Sequence, residues 1–225
     1  MHLPPPLHRW NVSAQEAIAL QKALVAQLQD RPLPFAQLRT VAGVDVSVKD
    51  GISRAAVVVM RYPSLEVIEA VTHAIPTPFP YIPGLLTFRE GQVVLEAVAM
   101  LQHEPDVFMF DGMGRIHPRG MGIAAHLGLW LQRPTLGIGK TQFIGEYPLP
   151  APQRGSYAPI TYHGQVIGAS LTTRPRVKPI YVSAGHLCDL DSALALAMTC
   201  TPRYRQPEPI RQAHHTAGKV PDIET

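Results

Sequence analysis

The chain predicts an α/β fold: a mixed central sheet of three antiparallel strands followed by strand–helix units, with flanking helices. Three observations predict it. Strand-like runs at 38–48, 55–60 and 65–75 are separated by short connections, so successive pairing is antiparallel. Residues 106–110 (DVFMF) are almost wholly apolar, the pattern of a strand buried on both faces of a sheet. From there on, short apolar runs alternate with Ala- and Leu-rich stretches of helical length.

The elements follow in order. After a Pro-rich start, residues 13–28 carry helical spacing, with Ser13 as N-cap and Glu16 completing a capping box. Gly51 turns the first strand into the second. A helix is expected over about 87–103, then the apolar strand, a helix over 122–131 and a strand over 135–138 after Pro134. Residues 155–162 and 165–171 form a hairpin turning at His163-Gly164, residues 178–183 another strand, and Asp189 or Asp191 caps a helix to about 199. No linker divides the chain, so residues 1–225 are expected to form one domain, with 1–12 and about 201–225 as polar, Pro-rich terminal segments.

Composition narrows the class. With 46% hydrophobic and 16% charged residues, the 225-residue chain can bury a full core and is not a disordered tail. No apolar run reaches the ~18 residues of a membrane span, and the N-terminus lacks the plan of a signal peptide. Cys188 and Cys200 belong to no metal-binding or CxxC spacing, which suits free thiols in a reducing compartment and a cytoplasmic protein. A net charge of +3 is compatible with a polyanionic partner without demanding one.

Residues 79–90, FPYIPGLLTFRE, are the most informative stretch. Pro80 and Pro83 bracket Tyr81 and Ile82, fixing φ and extending the residues before them. The result is a stiff tip that presents apolar side chains, the kind of wedge that enters a nucleic-acid stack. Arg89 and Glu90 follow at the expected start of a helix.

Three acids stand on different elements. Asp45 interrupts the apolar strand GVDVSV, pointing with Gly43 and Ser47 away from Val44, Val46 and Val48. A mid-strand carboxylate either faces solvent or is paired or metal-bound. Asp111 ends DVFMF and opens Gly112-Met113-Gly114, at the strand end where sites in α/β sheets gather. The stretch DGMGRIHPRGMG is too rich in glycine, His117 and arginine to be only an Asp-Gly turn. Glu90 alone reads as an ordinary acid at a helix start. Together the three have the hard oxygen donors that Mg²⁺ or Mn²⁺ requires for phosphodiester hydrolysis. Lys140 in LGIGKT follows a strand and suits a phosphate contact, although the glycine spacing is not that of a nucleotide P-loop.

GVDVSV, FPYIPGLLTFREG, DGMGRIHPRGMGIAAHLG and PTLGIGKT occur in order and together resemble the endonuclease V family, the deoxyinosine-directed repair nucleases. The resemblance runs from about Ala42 to Ala213. It implies an RNase H-like fold and Mg²⁺-dependent hydrolysis, with Mn²⁺ as substitute, of the second phosphodiester bond 3′ to hypoxanthine in DNA. The products carry 3′-hydroxyl and 5′-phosphate ends. On the matching positions it implies Asp45, Glu90, Asp111 and Lys140 as catalytic, and Asp45 and Asp111 as metal ligands joined by Glu90 and His214. His215 stands beside His214 as the alternative. Pro80, Tyr81, Ile82, Pro83, Arg89 and His117 correspond to the wedge and DNA contacts, and Gly84, Leu85, Gly112 and Gly114 to the base pocket. Met113 stands where many members carry a small or amide residue. The resemblance further implies a monomer acting on DNA that contains deoxyinosine. An inosine-specific endoribonuclease and a non-catalytic lesion-binding module are the alternatives.

Overall fold

The structure, a computed structural model, describes residues 1–219; the rest of the expected terminal segment, 220–225, lies outside the described residues. Strand β1 (Thr40–Lys49) turns into β2 (Ile52–Arg61) through Asp50-Gly51. Both residues hold positive φ, 52° and 74°, the pairing that a tight two-residue hairpin needs. Strand β3 (Val67–Pro76) pairs antiparallel with β2, which completes the expected antiparallel trio.

Helix α1 (Ala14–Leu24) precedes these strands, and Ser13 and Glu16 form the expected capping box; a short 3₁₀ turn, Val25–Gln27, extends it. Helix α2 (Leu86–Ala99) leads to β4 (Val107–Asp111), α3 (Ile123–Leu131), β5 (Thr135–Gly139), the hairpin β6 (Tyr157–Tyr162) and β7 (Gln165–Leu171), and β8 (Ile180–Ala184). Asp189 caps α4 (Leu190–Thr199) by accepting from Ser192 N.

Among the described residues, eight strands form one sheet in the order β3-β2-β1-β4-β5-β8-β7-β6. The inner pairs β1–β4 and β4–β5 are parallel, and the remainder antiparallel. Strand alternation sends Ala42, Val44, Phe108 and Phe110 toward α2 and α3, and Val41, Val107 and Met109 toward α4 and the C-terminal helix. This helix-flanked mixed sheet is RNase H-like.

Both ends of the chain carry packed structure within their polar, Pro-rich composition. The polar, Pro-rich tail contains a helix, α5 (Glu208–Ala217), opened by Pro209 in its first turn. Its buried residues Ile210, Ala213 and Ala217 make one apolar stripe against the sheet, enough to hold a helix whose other faces are polar. At the other end Met1, Leu3, Leu7 and Trp10 pack against the core, while His2, Pro5, Pro6, Arg9 and Asn11 stay exposed. Trp10 stacks on Trp130 of α3 at 4.9 Å with the rings 4° from parallel, and His8 Nε2 meets the buried His126 Nε2 at 2.8 Å. Two stacked indoles bury far more apolar surface than the prolines around them suggest.

Candidate active site

Parallel pairing of β1 with β4 aligns Val44 with Phe110, so Asp45 and Asp111 stand one step further along neighbouring strands. Both side chains emerge on the α5 side of the sheet. Helix α5 can reach them because Gly43 has no side chain: a Cβ there would lie 1.9 Å from the carbonyl oxygen of Pro209. Docked this way, α5 brings His214 Nδ1 to 2.6 Å from Asp45 Oδ2, with the imidazole N–H donating to the carboxylate. Donor atoms of Asp45, Asp111 and His214 all lie within 4.8 Å of one another.

Electrostatics make this trio uneasy without a cation. Burial pushes the Asp45 carboxyl above its ordinary range and the Asp111 charge pushes it further, against the pull of His214 and Lys140. Lys140 Nζ, just beyond β5, lies 2.5 Å from Asp111 Oδ2. That is a charge contact without hydrogen-bond alignment, and the buried oxygen has no hydrogen-bond partner. Two carboxylates, one of them with a buried oxygen that accepts no aligned hydrogen bond, and an imidazole form a donor set that fits a divalent cation.

Glu90 lines the same cavity, about 400 Å³ and bounded also by Asp45, Asp111, Lys140 and His214. It lies outside the trio of mutually close donors. Nor is it the first-turn helix acid expected, since α2 starts at Leu86 and has no acid in its first turn. Burial, then the Asp45 charge, raises its carboxyl to about 8.

A second cavity, of about 320 Å³, adjoins the first and shares Leu86, Asp111 and Lys140 with it. Tyr81, Ile82, Pro83 and Gly84 line one side; Gly112, Met113 and Ile123 line another. The loop is a type II turn in which Leu85 N donates to Ile82 O at 3.0 Å, Pro83 supplies the fixed φ and Gly84 takes φ +80°. Tyr81 is 71% exposed at its tip. Pro80 is exposed beside it, and Arg89 Nη1 braces the loop from α2 by donating to Phe79 O at 3.3 Å.

The family model for endonuclease V matches residues 21–215. The chain belongs to the endonuclease V family. An endonuclease V from Nostoc is 45% identical over 94% of this chain and 96% of that protein. The crystal structure of endonuclease V from Streptomyces avermitilis superposes with a TM-score of 0.90 at 39% identity, covering 93% of each chain. Endonuclease V from Ciona intestinalis, in complex with a 23mer DNA containing an inosine followed by a ribo-adenosine, superposes at 0.83 with 27% identity, over 92% of this chain and 98% of that one. As a member of the family, the protein is a DNA repair endonuclease, a phosphodiester hydrolase.

Two of the expected site residues, Leu85 and Gly114, do not line the cavity. Leu85 is 1% exposed and packs with Phe79, Phe88 and Ala17, beneath the turn rather than in the cavity. Gly114 does not line it either: a Cβ there would meet Ala184 O at 2.1 Å, and its N–H donates to Ser183 Oγ. Its role is to let β4's loop lie against β8. His117 lines the cavity but is buried and bonded within the protein. Its Nδ1 accepts from Arg119 N and Met121 N, so the proton sits on Nε2, which donates to Gly84 O at 2.9 Å. Burial lowers this histidine to about 4, keeping it neutral.

Other lining residues had no sequence signal. Phe143, 41% exposed, and Gln142 come from the segment after β5, which holds no motif beyond Lys140. Met121, far along the glycine-rich stretch, lines the cavity from below. The helix that carries His214 did have a signal, the spacing of Ile210, Ala213 and Ala217 behind Pro209. Among the described residues, no helix is long and apolar enough to cross a membrane.

Proposed function

We propose that this chain recognises deoxyinosine in DNA and hydrolyses the second phosphodiester bond 3′ to it, using Mg²⁺ and leaving 3′-hydroxyl and 5′-phosphate ends. The observation that carries this reading is the junction of the two cavities at Asp111 and Lys140, beneath an exposed Tyr81. A flipped base in the 320 Å³ cavity would bring its backbone beside Asp111 and Lys140, which line both cavities.

Tyr81 and Ile82 fill the space in the stack, and the extruded base lies against Gly84, Gly112 and Met113. Flipping costs least where the base pairs poorly, which adds to the selectivity. Asp45, Asp111 and His214 would hold the cation, and Glu90 stands at the edge of that site. A divalent ion held there would supply water activation and charge stabilisation at the leaving 3′ oxygen. Lys140 places its ammonium where the scissile phosphate needs a counter-charge. His214 orients the Asp45 carboxylate through their shared proton. The monomer is the working unit in this reading, and residues 1–225 act as one domain. Buried free thiols at Cys188 and Cys200 support a reducing, cytoplasmic setting.

The deciding experiment is nicking of a duplex with a single deoxyinosine, in Mg²⁺ and with an EDTA control. Cleavage one nucleotide beyond the lesion's 3′ neighbour phosphate is expected, and intact inosine-containing strands in Mg²⁺ would refute the reading. A second reading, an inosine-directed endoribonuclease, draws on the ribo-adenosine after inosine in the Ciona complex. Parallel cleavage of inosine-containing DNA and RNA single strands separates the two.

A further inference from the structure

Gln21 is fully buried, and it lies on the inward face of α1 between Ala17 and Leu24, where an aliphatic side chain would pack without any polar obligation. Its amide is instead fully used. Nε2 donates to Gly84 O at 3.0 Å and Met121 O at 3.2 Å, and Oε1 accepts from Arg119 Nε at 2.6 Å. Arg119 Nη2 then donates to the same Gly84 oxygen at 2.8 Å, and His117 Nε2 does so at 2.9 Å. One carbonyl with two lone pairs therefore receives three donors from two separate segments, α1 and the loop that carries His117 and Arg119. The guanidinium also occupies the place of a side chain at position 84, since a Cβ there would lie 2.8 Å from Arg119 Nη2. Neither Gln21 nor Arg119 lines the cavity; both act on it through Gly84, and Gln21 also through Met121.

We propose that Gln21 and Arg119 are positioning residues for lesion recognition, clamping the Gly84 carbonyl so that the Pro83-Gly84 turn presents Tyr81 at a fixed height over the base cavity. A type II turn can flip its central Pro83–Gly84 peptide at modest cost when the glycine is free to change φ and ψ. Three donors on the Gly84 carbonyl, in the next peptide plane, hold ψ of Gly84 and so oppose that change. The turn is then organised before DNA arrives, and binding does not have to order it. This inference rests on the deoxyinosine reading above.

The test uses the full-length protein with chelator for binding and Mg²⁺ for turnover. Gln21→Glu keeps shape but turns the Nε2 donor into an acceptor facing two carbonyls. Arg119→Lys keeps charge but replaces the planar fork, whose Nε and Nη2 bond Gln21 and Gly84 separately, with a single ammonium. The readouts are the Kd ratio between undamaged and deoxyinosine duplexes, and fluorescence of a 2-aminopurine beside the lesion, which reports unstacking. Each variant should lower the Kd ratio on the order of tenfold, blunt the fluorescence rise and raise KM with kcat little changed. A merely structural role would lower Tm and reduce kcat through loss of active protein, leaving the Kd ratio and KM as in wild type; that outcome overturns the proposal. Arg119 is partly exposed, so its lysine variant carries the test should Gln21→Glu not fold. Wild-type protein without preference for deoxyinosine would refute the underlying reading instead, which keeps the two failures distinct.

Discussion

His214 Nδ1 sits 2.6 Å from Asp45 Oδ2 and ties helix α5 to strand β1 across 169 positions of chain. The contact does two things at once. It completes the donor set with Asp111, and it draws the buried Asp45 carboxyl toward its charged form against burial and the Asp111 charge. Asp45→Ala or Asp111→Ala should abolish nicking of a deoxyinosine duplex while duplex binding in chelator persists. His214→Ala should weaken Mg²⁺ dependence and activity by roughly 10- to 100-fold, the usual cost of losing a group that orients a ligand. Titrating Mg²⁺ in nicking assays, with gel-shift binding alongside, checks both. Equal loss of binding and cleavage would remove Asp45 and Asp111 from the metal site.

Glu90 makes the cation-free protein sensitive to alkali. Its carboxyl is raised from 4.5 to about 8 by burial and by Asp45. The folded state therefore holds this proton more tightly than the unfolded chain. Its contribution to stability is complete below pH 4.5 and is lost as pH climbs toward 8. In chelator, Glu90→Gln should resist urea better than wild type at pH 8, with the gap closing toward pH 5. Urea midpoints at several pH values decide it, and a gap that is constant or widens toward acid would contradict the burial of Glu90.

Gly43 is where fold and site meet. An alanine Cβ there would lie 1.9 Å from Pro209 O, so Gly43→Ala must push α5 off β1. Overpacking of this kind costs about 1–3 kcal/mol. The same shift carries His214 away from Asp45, so metal affinity should fall along with stability. Calorimetric titration with Mn²⁺ and thermal unfolding of one variant measure both effects. Lost stability with unchanged Mn²⁺ affinity would show that α5 does not set the site.

Much of this arrangement was legible in the residues, and the illegible parts share a cause. Strand period placed Asp45 on the Gly43 face, and an apolar run ending in an acid placed Asp111 at a strand end, because both readings depend on local geometry alone. The α5 helix was obscured by its polar majority, although a stripe of Ile210, Ala213 and Ala217 is all that a docked helix must bury. In residues 1–12 nothing local announces the packing of Trp10, whose partner Trp130 is distant in sequence. Leu85 and Gly114 sit in recognisable motifs, yet their side of the chain faces packing rather than ligand. Which face a loop residue turns is set by tertiary contacts, and Phe143 entered the cavity the same way.

Tyr81 offers the cleanest separation of recognition from folding. With 71% of its surface exposed at the tip of a proline-braced turn, it adds little to the core. Tyr81→Ala should therefore change unfolding free energy by no more than about 0.5 kcal/mol. Base–aromatic stacking is worth about 1–3 kcal/mol, so affinity for deoxyinosine duplex should fall by roughly 10- to 100-fold. Tyr81→Phe keeps the stacking ring and should restore most of that affinity. Single-stranded deoxyinosine substrate needs no strand separation, so the loss should be smaller there than on duplex. Fluorescence anisotropy on both substrates, for both variants, measures the difference. Equal losses on single strand and duplex would make Tyr81 a simple contact and not a wedge.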